Sequence, residues 1–246
     1  MKAFVLAAGL GTRLRPFTLS HPKALVPVGG VPMLERVLDN LAVRGFDDVT
    51  INIHHFGEQI LEHLSTHSVE SRTYHISDER KELLDTGGAI YNARHLFEDD
   101  DAPVLVHNVD ILSNADLRAL FDYHVDKDND MTLLVSERVS SRQLIFDERY
   151  RLKAWHHVAE HRYRPENYRP APSDVSRAFS GIYVFSPRIF RHMESKGFRG
   201  KFSIIDYMLD SHSELKIEGF ESKELQLIDI GKPDTLRKAE EMFRIS

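Results

Sequence analysis

Residues 3–14 read Ala3-Phe4-Val5-Leu6-Ala7-Ala8-Gly9-Leu10-Gly11-Thr12-Arg13-Leu14. The apolar run at 3–7 ends in small residues and a glycine. An apolar run without alternation is the mark of a strand covered on both faces, as in a parallel sheet. Glycines and small residues directly after such a strand let backbone N–H groups approach a polyphosphate closely. Two common phosphate loops do not fit. The Walker pattern needs Gly-Lys-Ser/Thr, and Gly11 is followed by Thr12-Arg13. The dinucleotide fingerprint needs a third glycine where Leu14 stands. What remains is a glycine turn followed at once by an arginine, which taken alone also fits a plain turn with a solvent-facing side chain.

Outward from this stretch, strand and helix patterns alternate. Met33, Leu34, Val37, Leu38 and Leu41 recur at helical spacing after Pro32, a first-turn proline. Residues 49–53 read as a strand, Ile60, Leu61 and Leu64 as a helix, 74–77 as a strand, and 89–97 as a helix beginning near two glycines. Residues 104–106 form another apolar run, leading into His107-Asn108-Val109-Asp110. A helix through Leu117, Leu120 and Phe121 and a strand at 131–135 follow. Alternation of this kind predicts a doubly wound, Rossmann-like α/β fold with a mostly parallel sheet. Ligands in such sheets lie beyond the carboxyl ends of the strands, so the loops after Ala7, Ile53 and Val106 are the places to look.

The second half is less regular. Residues 144–146 and 152–155 predict a hairpin, and 160–177 a long polar loop. A strand at 179–185 is interrupted by Gly181. A helix at 204–209, a last strand at 225–230 and a helix at 233–243 complete the chain. With no repeat and no linker, the expectation is a single domain over residues 1–246. Its nucleotide-binding half spans about 1–138, and a sugar-binding, partly β part spans about 139–246.

Composition narrows the function. The 246 residues contain no cysteine, which excludes disulfides, thiolate metal sites and thiol nucleophiles. The net charge is −6 with no block of Lys or Arg, which argues against a nucleic-acid partner. No stretch of 18 apolar residues exists, so no membrane span is expected, and a cytoplasmic address is the default.

The phosphate-side stretch continues to Pro22-Lys23-Ala24-Leu25-Val26-Pro27. Together with Gly9-x-Gly11-Thr12-Arg13-Leu14, this resembles the signature of the sugar-1-phosphate nucleotidylyltransferases. Later elements fall in the same order: Thr86-Gly87-Gly88-Ala89-Ile90, Asp110, Phe179-Ser180-Gly181-Ile182-Tyr183 and Asp229-Ile230-Gly231. The resemblance implies roles residue by residue. Leu6, Ala7, Ala8 and Gly9, with Gly87 and Gly88, would hold the nucleobase. Gly11, Thr12 and Arg13 would hold the β- and γ-phosphates, and Lys23 would reach the reaction centre. Asn108 and Gly181 would meet the sugar, and Asp110 and Asp229 would bind Mg²⁺. The implied substrates are an NTP and a sugar 1-phosphate, and self-association is compatible with the family.

The chemistry accounts for so small a set. The nucleophile is a phosphate oxygen already ionised at pH 7, so no side-chain base is required. The obstacle is charge, and positioning with charge neutralisation does most of the work in phosphoryl-type transfer. Two departures stand out. Val109 occupies the place before the first metal aspartate, where glycine is usual in the family. Trp155-His156-His157 stands roughly where relatives carry a lysine for the sugar phosphate, leaving Lys153, Arg162 or Arg177 to supply that charge. His54-His55 and His156-His157 are poor metal pairs, since adjacent strand residues face opposite sides. Leu84-Asp85-Thr86-Gly87-Gly88 is similar to the compact N-acetylmuramate 1-phosphate uridylyltransferases, which favours UTP. Guanylyl-, thymidylyl- and cytidylyltransferases share the fold. At this length there is no room for the appended β-helix of bifunctional relatives. A glycosyltransferase would need an Asp-x-Asp at the strand edge, whereas 126–130 reads as a helix end. A catalytically silent nucleotide sensor would not need Arg13, Lys23, Asp110 and Asp229 intact.

Overall fold

The computed structural model describes residues 1–67, 71–97 and 100–244. The sequence Asp99-Asp100-Asp101 predicts a solvated acidic turn, of which Asp99 lies outside the described residues. The chain falls into two compact units that interleave along the sequence. The first comprises residues 1–84, 106–114 and 226–246, and the second residues 85–105 and 115–225.

The opening segment supplies β1 (Lys2–Leu6), β2 (Pro27–Val28), β3 (Val31–Pro32), α1 (Met33–Ala42), β4 (Asp48–Ile53), α2 (Gly57–Thr66) and β5 (Thr73–Asp78). After α3 (Asp85–Asn92) come β6 (Val104–Asn108) and β7 (Ile111–Ser113). The closing segment adds β14 (Leu227–Asp229) and α7 (Pro233–Arg244). Strand order in the first unit is β6-β1-β4-β5. Both β1–β4 and β4–β5 are parallel, with Val5 opposite Ile51 and Ile51 opposite Ile76. The five apolar residues of α1 are all buried, as their spacing requires. The parallel, doubly wound pattern read from the sequence is thus the pattern of this unit.

The second unit holds α3, α4 (Leu117–Lys127), β8 (Met131–Ser136), β9 (Arg142–Phe146), β10 (Leu152–His157), β11 (Arg162–Arg164) and β12 (Val175–Phe185). It also holds α5 (Ile189–Ser195), α6 (Ile204–Ser211) and β13 (Ile217–Glu221). Its strands run β11-β10-β9-β12 antiparallel, with β8 antiparallel to β12 and parallel to β13. The expected hairpin is β9–β10. The expected interruption at Gly181 is a bulge, where the β8–β12 register slips between Phe179 and Tyr183 and Gly181 has φ +77°. The long polar loop is shorter than its composition suggested: Arg162–Arg164 pairs with β10, and Val175 already belongs to β12. The helix expected from 89 begins at Asp85 and encloses both glycines. A Cβ at Gly87 would lie under 3 Å from the Phe202 ring, so close packing selects glycine inside this helix.

One buried polar knot braces α4. His124 Nε2 donates to Ser186 Oγ (2.9 Å), which donates to the Asn129 carbonyl (2.8 Å), and Thr132 Oγ1 lies 2.9 Å from Nδ1. The ring is neutral there. Burial, with a contribution from Arg188, pushes its pKa down from 6.5 to about 4. Unfolded, the ring titrates near its ordinary value and binds more protons between those two limits. Its stabilisation is therefore complete above pH 6.5 and is lost as the pH falls towards 4. We expect a loss of up to about 3 kcal/mol from this group over that window, read as a fall in Tm. Replacing His124 by Gln should flatten that part of the profile.

Candidate functional site

The groups that cluster in the first unit are set up by the path of residues 9–23. Gly11 sits at φ +61° and opens a short 3₁₀ turn, Thr12–Leu14. Its carbonyl accepts from Leu14 N–H (2.8 Å) and Thr18 Oγ1 (2.8 Å), which curls the segment back on itself. A Cβ at Gly11 would meet Lys23 Cβ and Thr18 Cγ2, each at 2.9 Å. Glycine is required here both by the left-handed backbone and by the lysine stem passing over it. Pro22, extended at φ −68° and ψ 148°, delivers Lys23 into the next turn.

Lys23 is only 8% exposed, and a cation so buried needs a partner. Its Nζ donates to Asp110 Oδ2. Asp110 lies between β6 and β7, and the Val109 N–H donates to the Leu6 carbonyl (3.1 Å), which fixes this corner to the end of β1. Val109 is itself buried, so its side chain is packed into the unit. The second aspartate is brought in by backbone pairing. β14 runs antiparallel to β7 with Asp229 opposite Ile111, and the Ile230 N–H donates to the Asp110 carbonyl (2.8 Å). Over Gly231, a Cβ would lie 2.7 Å from Arg13 Nη2 and 2.8 Å from Asp229 Oδ1. Arg13 and Asp229 thus share the space above that glycine. Lys23 meets Asp110 and Arg13 lies beside Asp229, two charge pairs drawn from three stretches of sequence and joined through the Ile230–Asp110 backbone contact.

Other expected residues fall as follows. Ala7 and Ala8 are buried, and their N–H groups donate to Asn52 Oδ1 at 2.6 and 3.2 Å. In the second unit, the N–H groups of Gly87 and Gly88 donate to the Phe202 carbonyl at 2.9 and 3.1 Å. These four amides are therefore engaged within the protein. Gly181 stays with the second unit at the β12 bulge. Asn108 ends β6 and its carbonyl accepts from His107 Nδ1 (2.9 Å). Thr12 and Gly9 are exposed.

Among the three cations considered for the sugar phosphate, Arg177 is taken up by Glu221 (2.8 Å), Glu137 (3.1 Å) and Tyr150 (3.2 Å). Arg162 pairs with Glu160 at 3.0 Å and lies, like Arg164, 5.9 Å from the centre of the half-buried Trp155 ring. Lys153 is exposed at the β10 irregularity. The histidine doublets do not pair up. His54 Nδ1 donates to the Glu79 carbonyl (2.6 Å), and His156 stacks on Tyr163 at 4.3 Å. Among the described residues, no group of three or more His, Cys, Asp or Glu is placed to hold a metal. Asn52 and Glu79, whose buried hydrogen bonds order the end of β1, belong to no motif legible in the sequence.

A family model described as nucleotidyl transferase matches residues 2–244. The chain is 41% identical over 110 residues to the N-acetylmuramate alpha-1-phosphate uridylyltransferase of Caulobacter vibrioides, covering 44% of this chain and 45% of that one. It is 27% identical over 196 residues to the mannose-1-phosphate guanyltransferase of Aspergillus fumigatus, covering 79% and 52%. The chain spans about half the length of these curated relatives. In structure it is similar to a putative glucose-1-phosphate thymidylyltransferase from Bacillus anthracis, with TM-score 0.81, 18% identity and coverage of 99% and 95%. It is also similar to HddC from Yersinia pseudotuberculosis complexed with GMP-PN, with TM-score 0.75, 24% identity and coverage of 98% and 99%. At such identities the structural likeness establishes the fold. No helix among the described residues is long and apolar enough to cross a membrane. With the family model matched along nearly its whole length, the chain belongs to the nucleotidyl transferase family.

Proposed function

We propose that this protein transfers a nucleotidyl group from an NTP to a sugar 1-phosphate, releasing pyrophosphate. The observation that carries the reading is the convergence of Lys23 on Asp110 beside Asp229 and Arg13, in a chain of this family. A sugar phosphate oxygen attacks the α-phosphorus, and the bond to the bridging oxygen of the leaving pyrophosphate breaks. Lys23 neutralises charge at the centre of that exchange. Arg13 presents a planar fork of donors to the departing oxygens.

The donor set suits Mg²⁺. Two carboxylates, Asp110 just before β7 and Asp229 at the end of the paired β14, leave room for water and phosphate oxygens, which this ion keeps in preference to an all-protein cage. When bound there by Asp110 and Asp229, the ion would supply further neutralisation of phosphate charge. UTP is the favoured nucleotide, on the similarity to the Caulobacter uridylyltransferase. An amino-sugar or hexose 1-phosphate is the favoured acceptor, and the cytoplasm the favoured location. The test is pyrophosphate release with each of the common NTPs against a panel of sugar 1-phosphates. Release with none would overturn the reading, and preference for GTP would move the specificity without changing the reaction.

Arg13→Lys separates charge from geometry. It keeps the cation and loses the fork, so kcat should fall on the order of tenfold to 100-fold, with smaller changes in either KM. Steady-state kinetics with both substrates varied will show it, and a variant altered only in KM would make Arg13 a binding group alone.

A further inference from the structure

Asn52 and Glu79 belong to neither the phosphate segment nor the aspartate pair, yet they are two of the most buried polar side chains of the first unit, each 3% exposed. Asn52 is the penultimate residue of β4, and Glu79 follows the end of β5. One amide oxygen, Asn52 Oδ1, accepts from two successive backbone donors, Ala7 N–H and Ala8 N–H, at 2.6 and 3.2 Å. The Asn52 Nδ2 then donates to Glu79 Oε1 (2.8 Å), and Glu79 Oε2 accepts the N–H of Leu84 (3.3 Å). The Glu79 backbone is held in turn: its N–H donates to the Ile53 carbonyl (2.8 Å), and its carbonyl accepts from His54 Nδ1 (2.6 Å).

Two consecutive N–H groups pointing at one acceptor make a small cradle of the sort that holds anions. Here a side-chain amide fills it. The direction of the chain as it leaves β1, and hence the path into Gly9 and Gly11, is set by Asn52. The orientation of Asn52 is set by Glu79. Asparagine suits the place because it accepts and donates at once. A carboxylate there could not donate to Glu79, and an alkyl group would strand two buried N–H groups and a carboxylate.

We propose that Asn52 and Glu79 are positioning residues for the nucleotide, holding the turn after β1 in the form that receives an NTP. This rests on the nucleotidyl-transfer reading above. The relay touches neither Lys23 nor the aspartates, so its loss should be felt in nucleotide affinity rather than in acceptor affinity.

The experiment is a double-mutant cycle on the full chain. Asn52→Asp places two carboxylates face to face in a buried site. Glu79→Gln sets an amide against an amide while also serving Leu84. The combination Asn52→Asp with Glu79→Gln reverses the polarity of the central hydrogen bond. The new carboxylate accepts from Ala7 and Ala8 and from the new amide, whose oxygen accepts from Leu84. Each single change should raise KM for the NTP, and the Kd of its non-hydrolysable analogue by calorimetry, roughly tenfold. KM for the sugar 1-phosphate should stay within about twofold. The double variant should recover nucleotide affinity to within a few-fold of the unmodified chain. Thermal melting is followed in parallel, because a purely structural bond would lower Tm in the singles without separating the two KM values. Singles that shift both KM values equally, or a double variant no better than the worse single, would overturn the proposal while leaving the reaction intact. An unmodified chain that binds no nucleotide would overturn the proposal together with the reaction.

Discussion

Lys23→Ala should remove nearly all turnover, with kcat lower by on the order of 100-fold or more. The reasoning starts from burial. The ammonium is carried into a nearly closed place by a turn that Gly11 and Pro22 shape, and it is balanced there by Asp110. Donors in water-poor surroundings act on charge more strongly than the same donors in solvent, and they need no reorganisation when charge moves. In the proposed reaction, charge flows towards the leaving pyrophosphate. A cation aimed at it is therefore worth more in the transition state than in the bound substrates, and its loss falls on kcat more than on KM. Lys23→Arg should restore only part of the rate, because a planar fork cannot take the place of the compact ammonium on the Asp110 carboxylate. Steady-state kinetics in the pyrophosphate-forming direction decide the matter. An alanine variant with near-normal kcat would move Lys23 out of the reaction centre.

The second large effect is expected at Asp110. Asp110→Asn keeps the shape and the backbone contact with Ile230, and removes the charge. It leaves Lys23 without its counter-ion and one carboxylate short of the pair made with Asp229. We expect kcat to fall by two orders of magnitude or more. The Mg²⁺ concentration for half-maximal rate should rise steeply, and Mn²⁺ affinity by electron paramagnetic resonance should fall in parallel. Tm should also fall, because the buried ammonium of Lys23 loses its counter-charge, so activity and metal affinity are measured well below the melting transition. A variant with unaltered metal dependence would show that the carboxylate serves only to place Lys23.

The parts of this architecture that could be read from the sequence are those with a local signal. The run at 3–7 is apolar throughout because β1 lies between other strands, and the glycines after it mark a backbone that doubles back. Gly181 marked the β12 bulge for the same reason. What escaped depends on partners distant in the chain. Ile217–Glu221 has too few apolar residues to announce a strand, and it is one because it lies beside the wholly buried β8. Arg162–Arg164 reads as loop and is drawn into a sheet by β10. Asn52 sits within an otherwise apolar strand and Glu79 within a charged stretch, so neither stands out until the fold brings them together. The pairing of Lys23 with Asp110 spans 87 positions, and only the resemblance to a family placed both in one site.

The β14–β7 ladder also bears on how the protein is made. Lys23 and Asp110 leave the ribosome before Asp229, which reaches them only after β14 has found β7. The whole second unit apart from its first short segment is synthesised in between. A nascent chain halted anywhere before residue 229 carries the lysine and one carboxylate but lacks the other. The full charge arrangement therefore exists only in a molecule whose intervening chain has already been translated.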